Sequence, residues 1–203
     1  AQGAGMYYYT DTAPLFDTNN FQFKLVRDQY NSRFAITDPW NSALFWGNSS
    51  PVTTGHSWIF QSPPMMKDPT SSSVEASWQW LSPSLRMAET YYTKNGLPIS
   101  EDLSFEYADR YNATNIDFNQ RFYAQFANRT AKLNLNREAR FYAALGFDRG
   151  INRTWGSLWE LKMRKGETHG RVAKTGDYLV TGYTLKKLDH QDSEGDGYNE
   201  AIT

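Results

Sequence analysis

The chain has 203 residues, of which 39% are hydrophobic and 21% charged, the size and composition of one globular domain. Its 21 basic and 22 acidic residues nearly cancel, which argues against a nucleic-acid partner, since such binding requires a basic face. Cysteine is absent, so disulfides, thiolate nucleophiles and zinc–thiolate sites are excluded. Aromatic residues reach 16%, an excess over an ordinary core that suggests a second use at the surface.

The first segment predicts one short amphipathic helix, a turn and a strand. Apolar residues between Phe21 and Val26 recur at helical spacing, and the helix would extend through Tyr30 to Asn31–Ser32. Asp38–Asn41 contains proline flanked by Asp and Asn, a combination typical of turns. Ala43–Trp46 then reads as a short strand that ends at a glycine.

Residues 48–77 predict an irregular loop. Ser, Thr, Pro and Gly dominate this stretch and no periodicity is visible. Trp58 and its aromatic neighbour Phe60 favour an anchored functional loop over a disordered linker, because disordered linkers are poor in aromatic residues.

Two helices are predicted next. Ser82 as N-cap and Pro83 at the first helical position mark the start of the first one, and Asn95–Gly96 would end it. Its apolar face would consist of Leu85, Ala88 and Tyr92. A second, shorter helix is expected after Asp102; it would contain Phe105 and Ala108.

Beyond Asn136 the apolar pattern shifts to a period of two, which predicts strands. The three candidate strands are Phe141–Phe147, Trp159–Met163 and Tyr178–Leu188. No alternation of strand and helix supports a parallel sheet. The fold class is therefore predicted to be α+β with many loops.

The sequence lacks the local signatures of common catalytic sites. It has no phosphate-binding glycine loop, no nucleophile elbow and no His-Glu-x-x-His motif. The three histidines, His56, His169 and His190, are far apart in polar contexts and are predicted to lie at the surface. We therefore assign no catalytic residue, no metal ligand and no cofactor. A glycoside hydrolase stays an alternative, because two suitably spaced carboxylates suffice and a sequence does not reveal their spacing.

Trp40, Trp46 and Trp58 fall within a short span that contains a turn, a strand end and a loop. Indole rings exposed in loops can stack on the flat C–H faces of sugars, while polar side chains bind the hydroxyl groups. The candidate polar partners are Asn41, Arg33 and Gln61, with Asn48 and His56 nearby. Taken alone, each tryptophan is better explained as a core residue; taken as a group, the three predict an oligosaccharide site.

Four segments, taken in order, resemble the C-terminal half of the SusD/RagB family, from about Phe21 to the end of the chain. These segments are Trp78–Ser84, Thr90–Ile99, Leu135–Ala143 and Thr181–Leu188. The resemblance implies a tetratricopeptide-type helical scaffold carrying a loop-rich second half. The present chain, 1–203, would then be a single incomplete SusD-like domain.

The same resemblance implies a function. Proteins of this family are non-enzymatic lipoproteins of the outer membrane, exposed at the cell surface. They sit as a lid on a SusC-type TonB-dependent transporter and help to import glycans or, in some members, peptides. The lipid anchor, the only expected membrane contact, would lie outside this chain. The family has no fixed motif for its binding residues, so none is transferred from it.

Overall fold

The computed structural model describes residues 28–29, 31–32, 82–154, 157–167, 169–170 and 181–187. Short helices alternate with short strands, so these residues have a mixed helical and strand character. The helices are α1 (Leu85–Thr90) and α2 (Ala139–Ala144), with 3-10 helices at Tyr107–Asp109, Phe118–Gln120 and Lys132–Asn134. The strands are β1 (Ala113–Asn115), β2 (Arg129–Ala131), β3 (Leu145–Phe147), β4 (Ile151–Thr154), β5 (Ser157–Glu160) and β6 (Tyr183–Leu185).

The strands form three antiparallel pairs: β1 with β2, β3 with β6, and β4 with β5. Ala113 faces Ala131 in the first pair, and Leu145 faces Leu185 in the second. The strands of the third pair are separated by only two residues in sequence, whereas β3 pairs with β6 across a long stretch of chain. Within these ranges, no helix has both the length and the apolar composition needed to cross a bilayer.

One hydrophobic cluster is centred on α2 and β3. Phe141, Tyr142 and Phe147 are almost completely buried, and the ring centroids of Phe141 and Phe147 lie 5.8 Å apart. Tyr123 packs on Tyr142 with a centroid distance of 4.0 Å. Aromatic side chains bury large areas, so these rings supply much of the apolar contact in a core with few valines and isoleucines.

Helix α1 starts two residues later than the sequence predicts. Ser84, not Ser82, is the N-cap, and its hydroxyl accepts a hydrogen bond from the Met87 amide at 3.2 Å. The helix ends at Thr90, because Tyr91 adopts an extended conformation. Tyr92 therefore lies outside the helix, and Gly96 serves a separate tight turn with a left-handed φ of 75°.

The predicted strand Phe141–Phe147 is wrong in its first half, which is the helix α2; only Leu145–Phe147 is a strand. Every residue from Phe141 to Phe147 is buried. Alternation between two faces carries no information where both faces are covered, so the apparent period of two was not evidence for a strand.

The other predicted elements are confirmed only in part. Residues 28–29 and 31–32 are helical, as the first predicted helix requires, and the Ser32 hydroxyl donates to the Asp28 carbonyl at 2.7 Å. The helix predicted after Asp102 is the single 3-10 turn Tyr107–Asp109. The strand predicted over Trp159–Met163 ends at Glu160. The predictions for residues 38–77 lie outside the described residues.

His169 is buried, which corrects the prediction that all three histidines lie at the surface. Its Nδ1 atom accepts a hydrogen bond from the Lys162 amide at 3.0 Å, so it holds the chain that follows β5. His56 and His190 lie outside the described residues.

Segments that carry the family resemblance meet at the buried residue Arg137. Its guanidinium donates to the carbonyl oxygens of Ala88 at 2.8 Å, Tyr91 at 2.6 Å and Leu133 at 2.7 Å. Burial lowers the pKa of this guanidinium from its usual value. The carbonyls of Ala88 and Tyr91 lie at the end of α1, where a helix leaves acceptors without intrahelical partners. Arg137 thus fastens the end of α1 to the chain preceding α2.

Candidate functional site

The ligand-binding residues predicted from the sequence cannot be located. All six lie outside the described residues: Trp40, Trp46, Trp58, Asn41, Arg33 and Gln61. They stay predictions.

The described part of the chain contains a cleft of about 320 Å³, which we call the polar groove. Its polar lining consists of Ser104, Glu106, Thr114, Asn115, Asp117, Gln120, Lys132 and Asn136, and its apolar lining of Phe105 and Leu135. A concave surface with a small apolar floor and converging polar groups has the general form of a small-ligand site.

One wall of the groove is built by β1 and the 3-10 helix that follows it. Ile116, between these elements, is buried and fixes the wall to the core. Asp117 is the N-cap of the 3-10 helix, and its amide donates to Oε1 of Gln120 at 2.9 Å. Thr114 and Asn115 precede this turn and are among the residues that line the groove.

The lining also contains Asn136, whose φ of 57° is left-handed. Asparagine tolerates this conformation better than most residues, although it remains less favourable than an ordinary one. The Asn136 carbonyl accepts a hydrogen bond from the Lys94 amide at 2.8 Å, and the next residue is the buried Arg137. The side chain of Asn136 is therefore presented from a rigidly held backbone.

The free hydrogen-bonding capacity of the groove comes from neutral groups. Within the described part of the chain, the side chains of Thr114, Asn115 and Asn136 make no hydrogen bond. An amide both donates and accepts hydrogen bonds, and a hydroxyl does the same. Such groups complement a polyhydroxylated ligand.

The groove also carries more negative than positive charge. Lys132 is its one described cation, and its ammonium forms an ion pair with Glu106 and lies 3.7 Å from Asp109. Asp117 has no ion-pair partner among the described residues. The positive charge of Lys132 is therefore already neutralised, whereas the Asp117 carboxylate carries no ion pair within the described residues.

Exposed aromatic rings lie near the groove but outside its lining. Phe118 and Phe126 are 57% and 47% exposed and contact each other edge to face at 5.5 Å. The Arg121 guanidinium covers the Phe118 ring at 3.8 Å. A second cluster places the Arg110 guanidinium over the ring of Tyr107 at 4.0 Å.

The shifted carboxyl groups outside the groove all favour the ionised form. The hydroxyl of Thr93, followed by that of Ser104, holds the pKa of Asp102 well below its usual range. The Tyr111 hydroxyl lowers the pKa of Glu89. Burial alone would raise the pKa of Glu167, but hydrogen bonds, chiefly from Arg149, lower it on balance. In the described ranges, no cluster of three His, Cys, Asp or Glu side chains is placed to bind a metal ion.

Comparison with known proteins decides the family. A family model described as the SusD family matches residues 46–203 of the chain. The chain belongs to the SusD family. No curated protein matches the chain in sequence at a significant level.

Solved structures agree with this family assignment. The protein named BT4246 is similar with a TM-score of 0.66 and 25% sequence identity, over 90% of this chain and 31% of BT4246. The selenomethionine form of BT4246 is similar with a TM-score of 0.61 and 24% identity, over 82% of this chain and 28% of that one. The chain thus spans less than a third of the length of the BT4246 chain, 31%.

For this SusD-family chain, sequence reasoning missed the polar groove. Its lining residues come from separate stretches between Ser104 and Asn136 that carry no shared motif. The asparagines in and next to β1 were the available local signal, because asparagine is depleted in strands. The approach of Asn115 to Asn136 depends on tertiary packing, which a single sequence does not reveal.

Proposed function

We propose that this chain is part of a cell-surface protein that captures oligosaccharides for import through a SusC-type TonB-dependent transporter of the outer membrane. The membership of residues 46–203 in the SusD family carries the proposal. In this proposal 1–203 is one incomplete SusD-like domain. A tetratricopeptide-type scaffold and a lipid anchor belong to the full-length protein.

The chemistry of the polar groove supports a polyhydroxylated ligand. Thr114, Asn115 and Asn136 offer neutral donors and acceptors, and Phe105 offers an apolar surface beside them. The predicted tryptophan trio, Trp40, Trp46 and Trp58, would add flat surfaces for stacking. Both features suit the alternating apolar and hydroxylated faces of a sugar.

The carboxyl groups support capture rather than hydrolysis. A glycosidase needs one carboxyl group with a raised pKa to protonate the leaving group. Among the described residues, the carboxyl groups with shifted pKa values, Glu89, Asp102 and Glu167, are all shifted downward. Groups that stay ionised accept hydrogen bonds but are poor general acids.

Isothermal titration of the protein against oligosaccharides tests the proposal. We expect binding without release of reducing sugar, and weaker binding after Trp40→Ala, Trp46→Ala or Trp58→Ala. Phe126→Ala, which removes an exposed ring outside the groove, is the control and should leave affinity unchanged. Reducing-sugar release would replace the proposal by a hydrolase.

A peptide cargo is the alternative within the same family scaffold. Titration with a mixture of unstructured peptides distinguishes the two. If peptides bind and no saccharide does, peptide capture replaces oligosaccharide capture as the proposed function.

A further inference from the structure

We propose that the polar groove is a saccharide subsite that prefers neutral sugars to acidic ones. This inference rests on the proposed function and adds the class of sugar. It also assigns a location among the described residues, separate from the predicted tryptophan trio.

The size and the lining of the groove suit a short stretch of sugar. Its volume of about 320 Å³ lies at the lower end of small-ligand sites, which range from about 300 to 1,000 Å³. Phe105 is partly buried against the core and also lines the groove, so it contributes apolar surface to the lining. Asn115 and Asn136 are among the polar residues of the same lining.

The charges in the groove disfavour an anionic ligand. A uronic acid would need a cation, but the Lys132 ammonium is already shared by Glu106 and Asp109. The Asp117 carboxylate would repel the ligand carboxylate, and at about 4 Å such repulsion costs roughly 1 kcal/mol even at the dielectric constant of water. A neutral hydroxyl can instead donate a hydrogen bond to Asp117.

The backbone at two positions of the groove lining is held in place by the protein itself. Asp117 caps a 3-10 turn, and Asn136 is held in a left-handed conformation next to the buried Arg137. Groups that are already ordered lose little entropy on binding, so even a few hydrogen bonds contribute to affinity.

The experiment compares neutral hexasaccharides with their acidic counterparts. Maltohexaose, cellohexaose and mannohexaose, and the same sugars oxidised to carboxylates at C6, are titrated into the protein at low salt. We expect the neutral form of the binding sugar to bind about fivefold more tightly than its oxidised form, the ratio that one such repulsion produces. The ratio should decrease at high salt, because salt screens exposed charges.

Three substitutions assign the effect to the groove. Asp117→Asn keeps an N-cap residue while removing the charge, so the preference for neutral sugar should fall towards one. Asn115→Ala and Asn136→Gly should weaken binding by about three- to tenfold, the value of one hydrogen bond. Glycine at 136 tolerates the left-handed backbone, so this variant removes the amide without adding strain.

Matched controls lie close in the chain but outside the groove lining. Asn119→Ala, at an exposed position of the same 3-10 helix that is not part of the lining, and Glu101→Gln should leave both affinity and charge preference unchanged. If a hexasaccharide binds but the groove variants match the wild type, or if the oxidised form binds as well as the neutral one, this inference is wrong and saccharide capture stands. If no saccharide binds, the proposed function itself is contradicted.

Discussion

At the scale of single residues, the buried Arg137 joins separate segments of the core through hydrogen bonds to backbone carbonyls. The residue is fully buried, and all its hydrogen bonds from the guanidinium go to carbonyl oxygens rather than to a carboxylate. The Phe141 ring lies 4.6 Å from its charged carbon. The planar guanidinium reaches several acceptors at once, which the compact ammonium of lysine does not.

Replacing Arg137 by lysine should therefore destabilise the fold strongly. Lysine leaves at least one buried carbonyl of Ala88, Tyr91 or Leu133 without a donor, and each orphaned acceptor costs about 1 to 3 kcal/mol. We expect Arg137→Lys to lower the free energy of unfolding by about 3 kcal/mol, measured by urea denaturation. Arg140→Lys, at an exposed position, is the control and should change stability little. Equal midpoints for the two variants would contradict the role given to Arg137.

Asp102 organises the turn that precedes the groove, and its contribution should depend on pH. Its carboxylate accepts hydrogen bonds from the hydroxyls of Thr93 at 2.5 Å and Ser104 at 2.7 Å, and from the Asn95 amide at 2.9 Å. Because the pKa of Asp102 is lower in the folded state than in the unfolded state, its stabilisation is present above the unfolded pKa of about 4. The stabilisation is lost as the pH falls through the lower folded pKa.

Asp102→Asn should lower stability at pH 7, because one acceptor oxygen becomes a donor that faces other donors. The difference from the wild type should shrink as the pH falls below about 4. Urea unfolding of both proteins between pH 7 and pH 2.5 measures it. A difference that stays constant over this range would show that the ionised carboxylate is not the stabilising form.

At the scale of elements, the sequence predicts that a region contains regular structure better than it predicts whether that structure is a helix or a strand. The change of pattern near Asn136 corresponds to a real boundary, because α2 begins at Ala139, whereas the helix predicted to end at Asn95–Gly96 ends at Thr90. The types fail where burial is complete, as in α2, because a helix and a strand that are buried on all sides share the same apolar composition. The predicted start of α1 is also displaced by two residues, because Ser82 and Ser84 are both suitable N-cap residues and the structure uses Ser84.

The two serines before α1 provide a direct test of the observed cap. Ser84→Ala removes the acceptor for the Met87 amide and should lower the free energy of unfolding by about 1 kcal/mol. Ser82→Ala removes the cap that the sequence predicts and should have almost no effect. The comparison uses thermal unfolding of both variants. The reverse order would place the start of α1 at Ser82.

At the scale of the whole molecule, described residues of three family segments pair with one another or with the core, and the candidate site lies beside them. Thr93 pairs with Arg137, and β6, within the last segment, pairs with β3. The sequence predicted the family from these segments, and this prediction is confirmed. It did not predict the polar groove, because the groove depends on contacts between residues that are distant in the chain.

The core as a whole should be sensitive to alkali. Burial raises the pKa values of Tyr123, Tyr142 and Tyr183 above their usual value. Above pH 10 the unfolded chain releases protons that the folded chain retains, so stability must fall as the pH rises. Three tyrosines give a slope of up to about 4 kcal/mol per pH unit.

Urea unfolding between pH 9 and pH 11.5 measures this slope. Tyr183→Phe removes one of the three groups and should reduce the slope by about a third, although it also breaks the hydrogen bond to Asn134 at 2.8 Å. A stability that does not change over this range would contradict the burial of the three rings.

The buried tyrosine side chains provide an ultraviolet absorbance signal that reports whether the core is folded. A phenolate absorbs at longer wavelength than a phenol, and solvent-accessible tyrosines would show this change promptly on addition of base. Tyr123, Tyr142 and Tyr183 would show it only when the surrounding structure opens. A delayed rise in ultraviolet absorbance after a jump in pH would then time the opening of the centre without any added dye.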